Sequence, residues 1–211
     1  MPINYKNLEK IKKNLGNAST HLQIITKTRS IEDIMELIHL GYRDFGENRV
    51  QEAKTKYDQI KNKIKDPINL SLVGPLQSNK VKLALKTFNC IQSIDREKIV
   101  DEISENLKNI DSITKDFFIQ INIGNEPQKS GISEEKLDEL YNYSLSKHIN
   151  VVGLMCIPPN NSNPAFYFEK MKNLRDKLSK NLKLSMGMSA DYESAIKFNS
   201  DYIRIGSLIF L

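Results

Sequence analysis

The sequence predicts an α/β fold, specifically a (β/α)8 TIM barrel, and three observations carry that prediction. Eight short apolar or β-branched runs recur along the 211 residues, segments of helical periodicity lie between them, and no low-complexity tract breaks the alternation. Strict alternation implies parallel strands joined by crossover helices, and eight repeats imply closure into a barrel. Periodicity alone does not say whether a parallel sheet closes, so a doubly wound open sheet stays as the alternative.

The strand candidates are LQIIT (22–26), YRDFG (42–46), LSLVG (70–74), NCIQSI (89–94), FFIQINI (117–123), VVGLM (151–155), KLSMGM (183–188) and YIRIG (202–206). After the first of them, Ile31, Ile34, Met35 and Ile38 share one helical face, opened by Ser30 with Asp33 three residues on as a capping pair. Further helical segments fall at 48–64, 78–87, 96–109, 134–147, 165–180 and 190–199. Position 211 follows soon after the eighth strand, so a full eighth helix has no room there. The barrel is expected to be truncated at its C-terminal end, with the amphipathic segment 3–15 covering that side. A chain of this length is expected to form one domain, 1–211.

Composition narrows the class. Hydrophobic residues make up 39% and charged residues 27%, as in a soluble globular protein rather than a disordered one. No apolar run approaches the roughly 20 residues needed to cross a bilayer, and the first residues, MPINYKNLEKIKKNLG, lack the apolar centre of a signal peptide. A cytoplasmic protein without a membrane partner is expected. Cys90 and Cys156 each lie inside an apolar run, which fits reduced buried thiols better than a bridge, and nothing points to a metal. The net charge is +5. The lysines recur at helical intervals, as in KTKYDQIKNKIKD (54–66), which is the pattern of a solvated helix face, so nucleic acid is not an expected partner.

Lys27 stands where the first apolar run stops, on the rim where such barrels carry ligand sites. A partly desolvated lysine there favours its neutral amine, which can attack an aldehyde to form a Schiff base. The plainer reading is a lysine that snorkels into water. The loops after strands seven and eight often grip a phosphate in these barrels. Here they read SMGMSADYES (185–194) and RIGSLIF (204–210), where glycine permits close backbone approach and Ser189 and Ser207 offer hydroxyls. Either could be an ordinary tight turn. A lysine on strand one facing both is a more specific combination, because strands one and eight are neighbours in a closed barrel. Arg204 points into the same space, as a partner for an aromatic nitrogen or phosphate, or as one half of an ion pair with Asp44 or Glu47.

Six blocks in order, TKTRSIEDIMELIHLGYRDFGENRVQEA (26–53), VGPLQSNKVK (73–82), INIGNEPQKSGI (121–132), VVGLMCIPP (151–159), LSMGMSADYESAI (184–196) and YIRIGSLIF (202–210), closely resemble the pyridoxal phosphate homeostasis protein family, relatives of the alanine racemase barrel. The resemblance covers nearly the whole chain. It implies that Lys27 holds pyridoxal 5'-phosphate as a Schiff base, that the phosphate lies against Ser189, Gly206 and Ser207, and that Arg204 sits near the pyridine nitrogen with Asn48 close to the ring. GPLQSNK (74–80) resembles a signature rim loop of the family, and Lys80 and Lys129 look like further basic residues near the cofactor mouth. The chain departs from the family in two places: Ser207 replaces the more usual threonine, and the sequence stops at Leu211 where relatives continue with a short basic tail.

The implied function is intracellular pyridoxal phosphate homeostasis by a carrier or buffer without turnover. Its partners would be the cofactor and apo enzymes that receive it, and its state a monomer or weak homodimer. An arginine at the ring nitrogen cannot act as its acid, which weakens the electron withdrawal that catalysis needs. The alternative is an amino-acid racemase or lyase, which calls for a titratable group opposite Lys27; His148, Tyr42 and Tyr202 are the candidates. A Schiff-base aldolase on a phosphorylated sugar is a third class.

Overall fold

The computed structural model describes residues 2–160 and 162–210; Met1, Asn161 and Leu211, and with them both limits of the expected 1–211 unit, lie outside. Eight parallel strands pair in chain order and close on themselves: β1 (His21–Ile25), β2 (Asp44–Glu47), β3 (Asn69–Leu72), β4 (Cys90–Ile94), β5 (Asp116–Ile121), β6 (Val151–Cys156), β7 (Lys183–Ser185) and β8 (Tyr202–Ile205). The closing pair is β1 with β8, in the register His21↔Tyr202, Leu22↔Ile203, Gln23↔Arg204 and Ile24↔Ile205. The sheet is therefore the expected barrel and not the open alternative.

Helices α2 (Ile31–His39), α3 (Val50–Lys61), α4 (Val81–Thr87), α5 (Glu97–Asn109), α6 (Leu137–Ser146), α7 (Pro164–Leu178) and α8 (Tyr192–Lys197) follow β1 to β7 in turn. The capping pair is present: the Asp33 N–H donates to Ser30 Oγ at 3.1 Å, and the Asp33 carboxylate accepts from the Ser30 N–H. Elements 78–87 and 134–147 each open on a short 3₁₀ turn before the α-helix. The seventh strand is shorter than 183–188, because Gly187 takes a left-handed φ of +93° and turns the chain out of the sheet.

The helix before β1, α1 (Tyr5–Leu15), fills the gap left after β8. It buries Leu8 and Ile11, and Asn14 donates to the Tyr192 hydroxyl on α8 while the Tyr5 hydroxyl donates to Glu36 on α2. Its N-terminus is tied to the end of the chain, with the Asn4 N–H on the Ile209 carbonyl at 2.7 Å.

Alternation along each strand sorts the side chains into two populations. Ile24, Phe45, Leu72, Ile91, Ile119, Leu154, Leu184 and Ile203 face the helices and are fully buried. The lumen instead mixes buried Phe118 and Met155 with a set of polar side chains. Gln23 Nε2 donates to Ser71 Oγ at 2.8 Å, reaching over β2 at Gly46, where a Cβ would come within 2.5 Å of Ile25 Cδ1 and touch Gln23 Oε1 at 3.4 Å. Ser185 Oγ donates across the lumen to Gln92 Oε1 at 2.7 Å. Gln23 Oε1 and Ser93 Oγ are buried with no protein partner among the described residues. Both cysteines are free and their thiols are pushed up to about 12 by burial. Among the described residues no helix is long and apolar enough to cross a membrane.

The apolar layer outside the sheet carries the stability. Leu72→Ala is expected to lower the unfolding free energy by about 2–5 kcal/mol, read from the urea midpoint at unchanged m-value.

Candidate functional site at the strand C-termini

A closed parallel sheet places every strand's C-terminus on one rim. Lys27, Asn48, Ser189, Gly206 and Ser207 each lie just beyond the end of a strand, so all five share it. The loops after β7 and β8 meet directly: Ser207 Oγ donates to Ser189 Oγ at 3.0 Å, and the Arg204 N–H donates to the Gly187 carbonyl at 2.9 Å. Among the described residues, the N–H groups of Ser189, Gly206 and Ser207 have no protein acceptor. Two hydroxyls and three free N–H groups make a donor-rich patch suited to an anion. Gly206 joins this patch to strand one, since a Cβ on it would lie 3.3 Å from both Cβ and O of Ile25, two residues before Lys27.

Arg204 lies just below the rim. It is 4% exposed, with Nη1 donating to Ser185 Oγ at 2.8 Å and Nη2 to the Cys156 carbonyl at the end of β6 at 2.7 Å. Neither carboxylate expected as a partner is used: Asp44 begins β2 at the opposite end of the barrel, and Glu47 faces α3. Burial lowers its pKa, yet a guanidinium stays charged. The guanidinium makes no ion pair among the described residues, and the Asp191 carboxylate acts on it only at longer range.

Lys27 is exposed, so the desolvation considered for it is not what the fold provides. Its neighbours are held firmly instead. Lys56 Nζ donates to the Thr26 carbonyl at 2.7 Å and bridges Glu47 Oε1 and Glu52 Oε1. Thr26 Oγ1 donates to Glu47 Oε1 at 2.7 Å, and the Thr28 N–H donates to Glu52 Oε1 at 2.5 Å. This corrects the reading of 54–66 as a solvated face: Lys56 is buried, because it lies with Ala53, Tyr57 and Ile60 on the stripe of α3 that meets the barrel. That i, i+3, i+4, i+7 spacing was visible in the sequence and is the signal that could have found it.

The other expected residues scatter around the rim. Asn48 and Lys80 line a cleft of 490 Å³ on the β2–β3 side, and the Asn48 carbonyl abuts Gly74, where a Cβ would come within 2.3 Å. Lys129 is occupied: it pairs with Glu126 and donates to the Pro158 carbonyl at 3.0 Å, so its charge fastens the loop after β5 to the loop after β6. Tyr42 and His148 immediately precede β2 and β6, and Tyr202 begins β8, stacked on His21 with ring centroids 5.4 Å apart. All three therefore lie at the rim opposite Lys27, and none can act across a ligand from it.

The family model described as alanine racemase, N-terminal domain, matches residues 5–211. The pyridoxal phosphate homeostasis protein of Aquifex aeolicus is 40% identical over 88% of this chain and 83% of its own. Its counterpart from Pasteurella multocida is 35% identical over 97% and 95%. The chain belongs to the pyridoxal phosphate homeostasis protein family. A solved structure of PipY from Synechococcus elongatus with PLP bound has a TM-score of 0.85 at 27% identity, covering 98% of this chain and 99% of that one. Alanine racemase of Clostridium difficile shares the fold at 14% identity and a TM-score of 0.75, with this chain covering 55% of its length.

In this homeostasis-family barrel the polar cluster under Lys27 gives a pH signature. Burial raises the Glu47 carboxyl above its ordinary 4.5, with Lys56 and Thr26 opposing. The folded state then binds that proton more tightly than the unfolded one, so this group's contribution to stability falls as pH rises from 4.5 through the raised value. Urea unfolding of wild type and Glu47→Gln across the acid range should show wild type losing stability relative to the variant as pH rises; a pH-independent difference would refute the assignment.

Proposed function

We propose that this protein binds pyridoxal 5'-phosphate at the C-terminal rim and serves its cellular homeostasis as a carrier or buffer that hands it to apo enzymes in the cytoplasm, working as a monomer or weak homodimer. The observation that carries the reading is the junction of β1 and β8, which brings the turn bearing Lys27 against a loop of free N–H and hydroxyl donors, with a buried arginine held by Ser185 and a carbonyl beneath it. The residues fit the cofactor group by group. Ser189, Gly206 and Ser207 would supply donors for a phosphate, Lys27 the amine that captures an aldehyde, and Asn48, just beyond the end of β2, would stand on the ring side. Arg204 would be the group facing the ring nitrogen, a donor that cannot protonate it.

When bound, the cofactor supplies an electron sink, and an unprotonated ring nitrogen makes that sink a weak one. A racemase would also need a second base across from Lys27, and His148, Tyr42 and Tyr202 stand at the far end of the barrel. The exposed rim admits water, which favours capture and release over a closed reaction.

Purified protein reconstituted with pyridoxal phosphate should show a visible Schiff-base band, and borohydride should fix a phosphopyridoxyl group on Lys27. Lys27→Ala should lose both; retention of the band would place the link elsewhere. Ser207→Ala removes one hydroxyl donor to an anion, about 1–1.5 kcal/mol, and should weaken cofactor affinity about 5- to 10-fold. Racemisation and decarboxylation assays should give no turnover, and robust turnover would reject the carrier reading.

A further inference from the structure

We infer that Lys56, with Glu47 and Glu52, positions Lys27 by clamping the residue on each side of it. This rests on the reading of Lys27 as the covalent anchor. Lys27 is exposed and its amine has no protein partner among the described residues, so the direction of its side chain is set by its own backbone. Beyond its main-chain bonds, the segment is held by side chains at three atoms. Lys56 takes the Thr26 carbonyl, Glu47 and the Tyr57 hydroxyl take Thr26 Oγ1, and Glu52 takes the Thr28 N–H. The Arg29 N–H bond to the Thr26 carbonyl at 3.0 Å closes the turn, and Thr28 Oγ1 donates to the Lys27 carbonyl at 2.6 Å.

Two features argue that the cluster serves this turn rather than the attachment of α3. First, the charges are poorly placed for stability: Glu47 is fully buried, its Oε2 has no hydrogen-bond partner, and apolar residues such as Ala53 and Ile60 already seat the helix. Buried ion pairs with unmatched atoms are inferior to apolar packing as a stabilising device. Second, Thr28 has φ of +61°, a conformation rare for a β-branched residue; the Arg29 N–H bond to the Thr26 carbonyl at 3.0 Å closes the turn around it, and the Glu52 carboxylate braces its N–H from α3. A left-handed residue braced by charged side chains beside a nucleophile is a positioning arrangement.

In the step this prepares, the Lys27 amine adds to the aldehyde carbon, a C=N bond forms and water leaves. Pyridoxine 5'-phosphate carries the same phosphate and ring but an alcohol in place of the aldehyde, so it reports the site without covalent capture. Glu52 is the residue to change, because its side chain is one-quarter exposed and its loss leaves no buried charge unpaired between Lys56 and Glu47.

Glu52→Ala should weaken pyridoxal phosphate capture about tenfold, the scale seen when outer-shell partners of a ligand are removed, read from the visible band and from borohydride-trapped Lys27 in mass spectra. Calorimetric affinity for pyridoxine 5'-phosphate should stay within about twofold, as expected when the phosphate and ring contacts are untouched. Glu52→Gln keeps an oxygen for the Thr28 N–H and should restore most of the capture. Equal capture by Glu52→Ala and wild type would overturn the clamp, as would parallel loss of both ligands. A wild-type protein with no adduct on Lys27 would instead overturn the underlying reading, and the clamp with it.

Discussion

Everything on the functional rim depends on the pairing of β1 with β8. Four register pairs, from His21↔Tyr202 to Ile24↔Ile205, join residues about 180 positions apart. The same contact that closes the barrel makes Gly206 pack on Ile25 and so sets the last loop against the turn that carries Lys27. In a parallel sheet the direction of one strand fixes that of all, so closure also decides what the site cannot contain. Tyr42, His148 and Tyr202 enter strands rather than leave them, and one geometric fact both assembles the anion cradle and removes the three candidate bases.

Closure has a second consequence, because a barrel needs a filled lumen. Such barrels commonly fill it with branched aliphatic side chains. Here the layer beneath the rim includes Gln23, Ser71, Gln92, Ser185 and Arg204, each with a partner: Arg204 donates to Ser185, Ser185 to Gln92, and Gln23 to Ser71. A buried polar group without such a partner costs about 1–3 kcal/mol, and Gln23 Oε1 and Ser93 Oγ remain in that condition. Phe118 and Met155 add apolar burial inside the lumen, but most of it lies in the outer layer between sheet and helices, where Phe45, Leu72, Ile91 and Ile203 are fully enclosed. The protein thus keeps a rigid polar floor under an open mouth at the expense of stability in the lumen.

This division explains what was legible in the sequence. The outer layer follows simple periodicity, so all eight strands, the Ser30–Asp33 cap and the covering role of α1 could be read from apolar spacing. The rim residues were legible because strand ends are easy to place and parallel topology does the rest. Lumen and clamp were not. Gln23, Gln92 and Ser185 look like the polar half of an ordinary alternating strand, and their partners lie on strands two or more away, a distance that no local pattern encodes. Lys56 was hidden by its neighbours: Lys54 and Lys61 face solvent at the same helical intervals, and only the stripe shared with Ala53, Tyr57 and Ile60 separates it from them. Lys129 was misleading in the other direction, a basic residue near the mouth whose charge is absorbed by Glu126 and a carbonyl.

The distribution of rigidity then bears on holding against turnover. A group that must be both captured and released needs a nucleophile that water can reach and a floor that does not rearrange when the ligand departs. Lys27 and Ser207 are exposed, whereas Arg204, Ser185 and Gln92 are fixed by hydrogen bonds that require no ligand to complete them. Preorganisation of that kind lowers the entropic cost of binding without enclosing the ligand. A catalyst draws its advantage from excluding water and from groups placed on both faces of the reacting atoms. On this rim the preorganised groups lie below and to one side, and the remaining side is open. That asymmetry is what the proposed carrier role requires, since an exposed Schiff base is reversed by the same water that a closed active site would shut out.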